Sequence, residues 1–219
     1  MAELLLLPGA GGDPWYWHLV VARLEGRGHT AVAVDLPAGQ EDAGLREYAD
    51  VAVRAAEGLR EVVLVAQSLG AFTAAMVAPR LPVRALAFVN GMIPLPGETP
   101  GQWWSATGHA EAQAAARGEH DAAEDFTHDL PPSVVRAMHD RQRDQSAAAF
   151  ASACTFDTWP RVPIHALVGA EDRFFPAAFQ QRLCRTRLGI EPVVVPGGHA
   201  IALSQPGAVA GWLDLVGRA

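Results

Sequence analysis

Four apolar runs in the first ninety residues, each closed by turn-forming residues, constrain this chain more than any other feature. They recur roughly every 30 residues, and stretches of helical spacing separate them. Glu3–Leu7 and Thr30–Val34 read as strands, with an amphipathic segment from Trp15 to Glu25 between them. Leu45, Tyr48, Val51, Ala52, Ala55 and Leu59 then fall on one helical face. A strand at Val62–Ala66, a helix from Leu69 to about Ala78 and a strand at Ala85–Val89 follow. Strand–helix alternation of this kind predicts an α/β fold: a doubly wound, mostly parallel sheet with right-handed crossovers.

The rhythm breaks after Asn90-Gly91. Pro94, Pro96 and Pro100 open a stretch rich in alanine and charge, helical in pattern and without clear strands until about Pro160. It holds the Trp103-Trp104 pair and the histidines His109, His120, His128 and His139, which read as surface residues among their polar neighbours. Strand pattern resumes at Pro163–Val168, followed by a helix at about Pro176–Leu188, a last strand at Glu191–Val195 and a last helix at Pro206–Val216. The expected organisation is a core of residues 1–91 and 159–219, with residues 92–158 inserted as a helical cap over one end of the sheet. A chain of 219 residues suits one domain with such an insertion.

Composition removes several kinds of chemistry. All 17 basic residues are arginine, so no lysine can form a Schiff base or act as a general base. A net charge of −7, without an arginine tract interleaved with aromatics, argues against nucleic acid. Cys154 and Cys184 make no disulfide framework and have no Cys or His at ligand spacing, so no metal is expected. Gly9 to Gly12 might suggest a dinucleotide loop, but Trp15 follows where the third glycine of Gly-x-Gly-x-x-Gly is sought, so no cofactor is expected. Leu4–Leu7 is short for the apolar region of a leader, and no apolar run approaches membrane-spanning length. The expectation is a cytoplasmic protein with a small-molecule substrate; the sequence is silent on oligomeric state.

Chemistry concentrates where the expected strands end. Val62–Val65 leads through Ala66-Gln67-Ser68-Leu69-Gly70 into small residues that open a helix. That order suits a nucleophile elbow, in which a strained serine is exposed at a sharp turn and its neighbours two residues either side are small. Pro8-Gly9-Ala10-Gly11-Gly12 follows the first strand, Gly169-Ala170-Glu171-Asp172-Arg173 the penultimate strand, and Gly197-Gly198-His199 the last. A serine hydroxyl is a poor nucleophile at neutral pH, so His199 would take its proton and later deliver it to the leaving group. Asp172, favoured over Glu171 by its Gly-x-x-Asp spacing, would orient the imidazole. The backbone N–H groups of Ala10 and Leu69 would hold the oxyanion.

The order Ser, acid, His and these loops resemble the α/β-hydrolase superfamily, notably its small plant methyl-ester esterases and hydroxynitrile lyases. Pro8-Gly9-Ala10-Gly11-Gly12-Asp13-Pro14-Trp15-Tyr16-Trp17 resembles their His-Gly-Ala-x(4)-Trp-x-Trp opening. Gly169-x-x-Asp172-x-x-x-Pro176 resembles their acid loop, and Gly197-Gly198-His199 their histidine loop. Two positions depart: Pro8 stands for a histidine that braces the oxyanion loop, and Ala66 for the first elbow glycine. The resemblance implies hydrolysis of a small, mostly apolar carboxylic ester through an acyl-enzyme. Alternatives are a cofactor-free lyase using Ser68 and His199 as base, and a non-catalytic small-molecule binder. Candidate pocket walls are Gly11, Trp15, Met92, Ile93, Trp103 and Trp104, although the tryptophan pair reads equally well as a pin between cap and sheet.

Overall fold

The structure, a computed structural model, describes residues 1–116 and 124–218. His120 lies outside the described residues. Six parallel strands, β1 (Glu3–Leu7), β2 (Thr30–Ala33), β3 (Val62–Gln67), β4 (Val83–Val89), β5 (Ile164–Gly169) and β6 (Val193–Val195), form one sheet in the order β2-β1-β3-β4-β5-β6. The continuous apolar runs of β1, β3 and the second half of β4 follow from burial on both faces, where alternation would leave one face wet. Leu4 to Leu7 are all fully buried, yet they serve two cores. Leu5 and Leu7 join one cluster with Tyr48 and Ala52 of α2 (Leu45–Ala55) and Ala71 and Ala74 of α3 (Gly70–Val77). Leu4 and Leu6 face the opposite cluster, with Trp17 and with Val20 and Leu24 of α1 (His18–Glu25). Each such leucine contributes about 1.5–3 kcal/mol by burial.

The connection from β1 runs through α1 to one side, and those from β2 and β3 run through α2 and α3 on the other face. The chain therefore reverses its direction across the sheet between β1 and β3, where a doubly wound sheet opens a crevice beyond its carboxyl ends.

Between β4 and β5 stand four helices, α4 (Pro100–Thr107), α5 (His109–Ala116), α6 (Pro132–Asp140) and α7 (Ala147–Ala151), and no strand is seen among the described residues there. Thr99 caps α4 by accepting from Gln102 N while the Gln102 side chain returns to Thr99 N, a reciprocal box. Trp103 of α4 is fully buried and donates from Nε1 to Ile93 O. It packs with Phe72 of α3, Met92, Phe175, and Phe179 of α8 (Ala177–Leu183) in a third core that fastens this segment to the sheet's helices. After β6 come α9 (Ile201–Ser204) and α10 (Pro206–Arg218). No helix among the described residues is long and apolar enough to cross a membrane.

Candidate active site

Ser68 occupies the turn between β3 and α3 with φ 48, a left-handed backbone that a non-glycine residue adopts at a cost of about 1–3 kcal/mol. Three backbone bonds hold it there: Ser68 N donates to Val89 O, and Ser68 O accepts from Ala71 N and Met92 N. The helix closes hard against β1 at Gly70, where a Cβ would stand 2.6 Å from Pro8 O and 2.9 Å from Leu7 O. Ala66, two residues before the serine, is fully buried without breaking the strand.

Asp172 and His199 are held by a dense network. Asp172 Oδ1 accepts from Phe174 N (2.9 Å) and Phe175 N (2.7 Å). Its Oδ2 meets His199 Nδ1 at 2.8 Å and accepts from Gln180 Nε2 at 3.1 Å. Four partners thus fill the carboxylate's acceptor positions. Glu171 points elsewhere and accepts from the Gly197 backbone N–H. Asn90, fully buried with φ 45, donates from Nδ2 to Gly198 O and His199 O and accepts at Oδ1 from Gly169 N. One side chain therefore ties the end of β4 to both the acid loop and the histidine loop. Phe174 and Phe175 present their rings edge-on to His199 at centroid distances of 5.1 and 4.7 Å.

The surroundings of Ser68 are arranged differently. Among the described residues, no hydrogen bond joins the Ser68 hydroxyl to His199; His199 Nε2 lies 3.2 Å from Gln67 Nε2 instead. The N–H groups of Ala10 and Leu69, both near the serine's turn, have no hydrogen-bond partner among the described residues. The glycine turn after β1 is braced by Gln145, whose Oε1 accepts from Gly11 N and whose Nε2 donates to the Tyr48 hydroxyl. Gln145 thus supports the loop that lacks a histidine at position 8.

A cavity of about 570 Å³ opens beside this turn. Pro8, Gly9, Ala10, Gly11, Trp15 and Gln67 form its floor side, and Phe126, Met138 and Leu203 add apolar wall. His139, Arg141, Gln142, Arg143, Asp144 and Gln145 add polar wall, beside Asp13, Tyr16 and Thr127. Arg141 lies over the Trp15 ring at 5.5 Å. Of the candidate pocket walls, Gly11 and Trp15 line this cavity. Met92, Ile93, Trp103 and Trp104 do not: the first three are core residues, and Trp104 packs on Phe174 and His109. The tryptophan pair packs instead against Phe174 and Phe175, the contact that a pin between cap and sheet would make.

The histidines of that segment also divide. His139 is exposed at the cavity, whereas His109, expected at the surface, is buried. Its Nε2 meets Phe174 O at 2.7 Å inside a ring of Trp103, Trp104, Phe174, Phe175 and Phe179. Burial pushes its pKa down. Cys154 and Cys184 are free, buried thiols pushed up to about 12 by burial. Among the described residues, no group of three or more His, Cys, Asp or Glu is placed to hold a metal ion.

Sequence reasoning missed Asn90, Gln180, Gln145 and Gln67. Only Asn90 carried a signal, because asparagine at a strand end before glycine tolerates a left-handed backbone. The amides of the three glutamines have no motif.

Residues 4–212 match the sequence model of the alpha/beta hydrolase family. Over 112 residues the chain is 37% identical to "Probable esterase PIR7A" of rice, Oryza sativa subsp. indica. That match takes in 45% of this chain, and the chain spans less than half, 42%, of the relative's length. Among solved structures, an extracellular alpha/beta-hydrolase from a Paenibacillus species superposes with a TM-score of 0.83 at 16% identity, covering 100% of both chains. Its description reports structural and functional homology to tobacco salicylic acid binding protein 2. Polyneuridine aldehyde esterase gives 0.80 at 18% identity, covering 99% of each chain. A methylesterase protein of Arabidopsis, MES16, gives 0.79 at 16%, covering 99% of this chain and 98% of that one. At such identities the likeness is one of fold.

Proposed function

The chain belongs to the alpha/beta hydrolase family, and from that premise we propose that it hydrolyses a small carboxylic ester with Ser68, His199 and Asp172 as its triad. The observation that supports this reading is the 2.8 Å contact of Asp172 with His199 Nδ1, in a chain whose β3 passes into α3 through a serine with a left-handed backbone. A carboxylate accepts only, so the imidazole proton sits on Nδ1 and Nε2 carries the lone pair that acts as base.

In the proposed reaction, Ser68 Oγ attacks the ester carbonyl carbon while its proton passes to His199 Nε2. The carbonyl oxygen becomes an oxyanion facing the N–H groups of Ala10 and Leu69, each such donor contributing about 3–4 kcal/mol to the transition state. Collapse breaks the C–O bond, and His199 returns the proton to the departing alcohol. Water then repeats the cycle on the acyl-serine and releases the acid. The esterase named among the relatives supports an ester over other acyl substrates.

The cavity's size suits a small ligand. Its walls refine the substrate expected from the sequence: Phe126, Met138 and Leu203 suit an apolar part, and the side chains from His139 to Gln145 suit a polar remainder. Phe126, Thr127, Met138, His139 and the residues from Arg141 to Gln145, all from the segment between β4 and β5, act in this reading as a cap, since they supply much of that wall.

The test is intact-mass spectrometry after fluorophosphonate treatment, with Ser68→Ala as control, beside a panel of p-nitrophenyl esters. A single adduct lost in the control, together with ester turnover, is the expected result. An unmodified, inactive protein would remove the nucleophile assignment and return weight to the binder.

A further inference from the structure

We propose that Gln67 holds the lone pair of His199 when no ester is bound, and yields it to Ser68 when a substrate fills the cavity. This inference rests on the triad proposed above. Gln67 thereby becomes a residue that touches a reacting atom and sets a preference for esters large enough to displace it.

The tautomer argument makes the contact specific. His199 Nδ1 faces the Asp172 carboxylate at 2.8 Å, so the ring proton is there and Nε2 offers a lone pair. The atom of Gln67 that approaches Nε2 at 3.2 Å must then be the amide nitrogen, donating an N–H. The other end of the carboxamide lies over Gly9, where a Cβ would stand 2.3 Å from Gln67 Oε1. Only glycine at position 9 leaves room for this pose, so the carboxamide spans the distance from the oxyanion turn to the base.

Position in the cavity supplies the second observation. Ser68 and His199 are 6% and 2% exposed, and neither lines the cavity; Gln67, Pro8, Gly9 and Ala10 do. An ester arriving from the cavity meets the Gln67 carboxamide before it meets the nucleophile. An imidazole Nε2 has one lone pair, so Gln67 N–H and Ser68 O–H compete for it. A substrate that occupies the space against Gly9 and Ala10 moves the carboxamide aside, and the serine then takes the vacated acceptor. A reagent too small to fill that space must wait for Gln67 to leave unaided. The handicap is the exchange of one neutral hydrogen bond, about three- to tenfold in rate.

Gln67→Met and Gln67→Leu keep the bulk of the side chain and remove the donor. Two measurements on the substrate-free and reacting enzyme test the proposal. The first is the ¹⁵N resonance of His199 Nε2, assigned with a His199→Gln variant. The second is the rate of Ser68 acylation by p-nitrophenyl acetate and by p-nitrophenyl hexanoate. In both variants the Nε2 resonance should move while the Nδ1–H signal stays. Acylation by the acetate should rise about three- to tenfold, and that by the hexanoate should rise less, so the preference for the longer acyl group falls. An unmoved Nε2 resonance, or acylation slowed for both esters as a mere prop would give, overturns the proposal. If wild-type Ser68 is not acylated at all, the triad fails and takes this proposal with it. A labelled wild type with unaltered variants fails the proposal alone.

Discussion

The two halves of the candidate site are built on opposite plans. On the acid–base side, Asp172 has four partners, and Asn90 links the loops that carry Asp172 and His199. On the nucleophile side, the Ser68 hydroxyl is not bonded to His199, and the N–H groups of Ala10 and Leu69 stand without partners among the described residues. Buried polar groups left unpaired cost about 1–3 kcal/mol each, so a dry loop network is closed wherever it can be. In the proposed reaction the N–H groups of Ala10 and Leu69 stay open because a substrate supplies the partner. A carboxylate that only orients an imidazole does the same work at every step and can be fixed for good. In the same proposal the turn at Ala10 waits for charge that exists only in the transition state.

The largest expected effect tests whether the two halves act as one unit. Ser68→Ala should lower kcat by a factor on the order of 10⁶, and His199→Ala nearly as much. The double variant should be no worse than either single one. Additive losses in ester turnover would mean that Ser68 and His199 work separately.

Asn90 tests how far the closed half carries stability. Asn90→Ala removes both side-chain donations and the acceptor for Gly169 N, and it leaves alanine at φ 45. Urea unfolding should show a loss of about 2–4 kcal/mol. Asn90→Gly relieves the backbone but not the lost bonds, so its loss should be smaller than that of the alanine variant. Equal losses would place the whole effect in the hydrogen bonds.

One glutamine on each side sharpens the contrast. Gln180→Leu removes a donor from Asp172 Oδ2 and should lower kcat about tenfold with little change in KM. Gln145→Leu frees the oxyanion turn and should cost a few-fold in kcat, with partial recovery in Gln145→Glu, which keeps an acceptor for Gly11 N. If Gln145→Leu proves the costlier of the two, the turn depends on bracing more than the acid depends on its extra donor.

The smallest effect concerns pH. Burial depresses the pKa of His109 and of His165, so each binds a proton more readily in the unfolded chain than in the folded one. Stability from keeping them neutral is full above the ordinary histidine value of about 6.5 and falls as pH drops below it. The Tm should therefore decline between pH 7.5 and pH 5.5, and His109→Phe should flatten that decline. A Tm that rises on acidification would contradict the sign.

Much of this was legible in the residues because it is local. The bounds of β1 match the apolar run Glu3–Leu7, and all six strands fall within a residue or two of the runs read from the sequence. Helical spacing carried α2 on to Leu59, but the helix stops at Ala55, and Gly58 takes φ 89 in the turn beyond it. The four-residue α9 gave no periodic signal because it is barely one turn long. Ser68, Asp172 and His199 could be singled out as candidates because each sits in a short pattern at a strand end. Trp103 was not, because a bulky apolar ring suits a pocket or a core equally well and only its neighbours decide.

What the amino-acid sequence determined alone is the alternation of strands and helices and the chemistry placed at the strand ends. Both follow from backbone geometry over a few residues. What the tertiary structure decided is which uncharged amides close on those ends: Gln67 and Gln145 reach partners 132 and 134 residues away, and Asn90 reaches one 109 away. An amide side chain donates and accepts with equal ease, so its role is set by whatever the folded chain brings within 3 Å or so, and no local pattern records that.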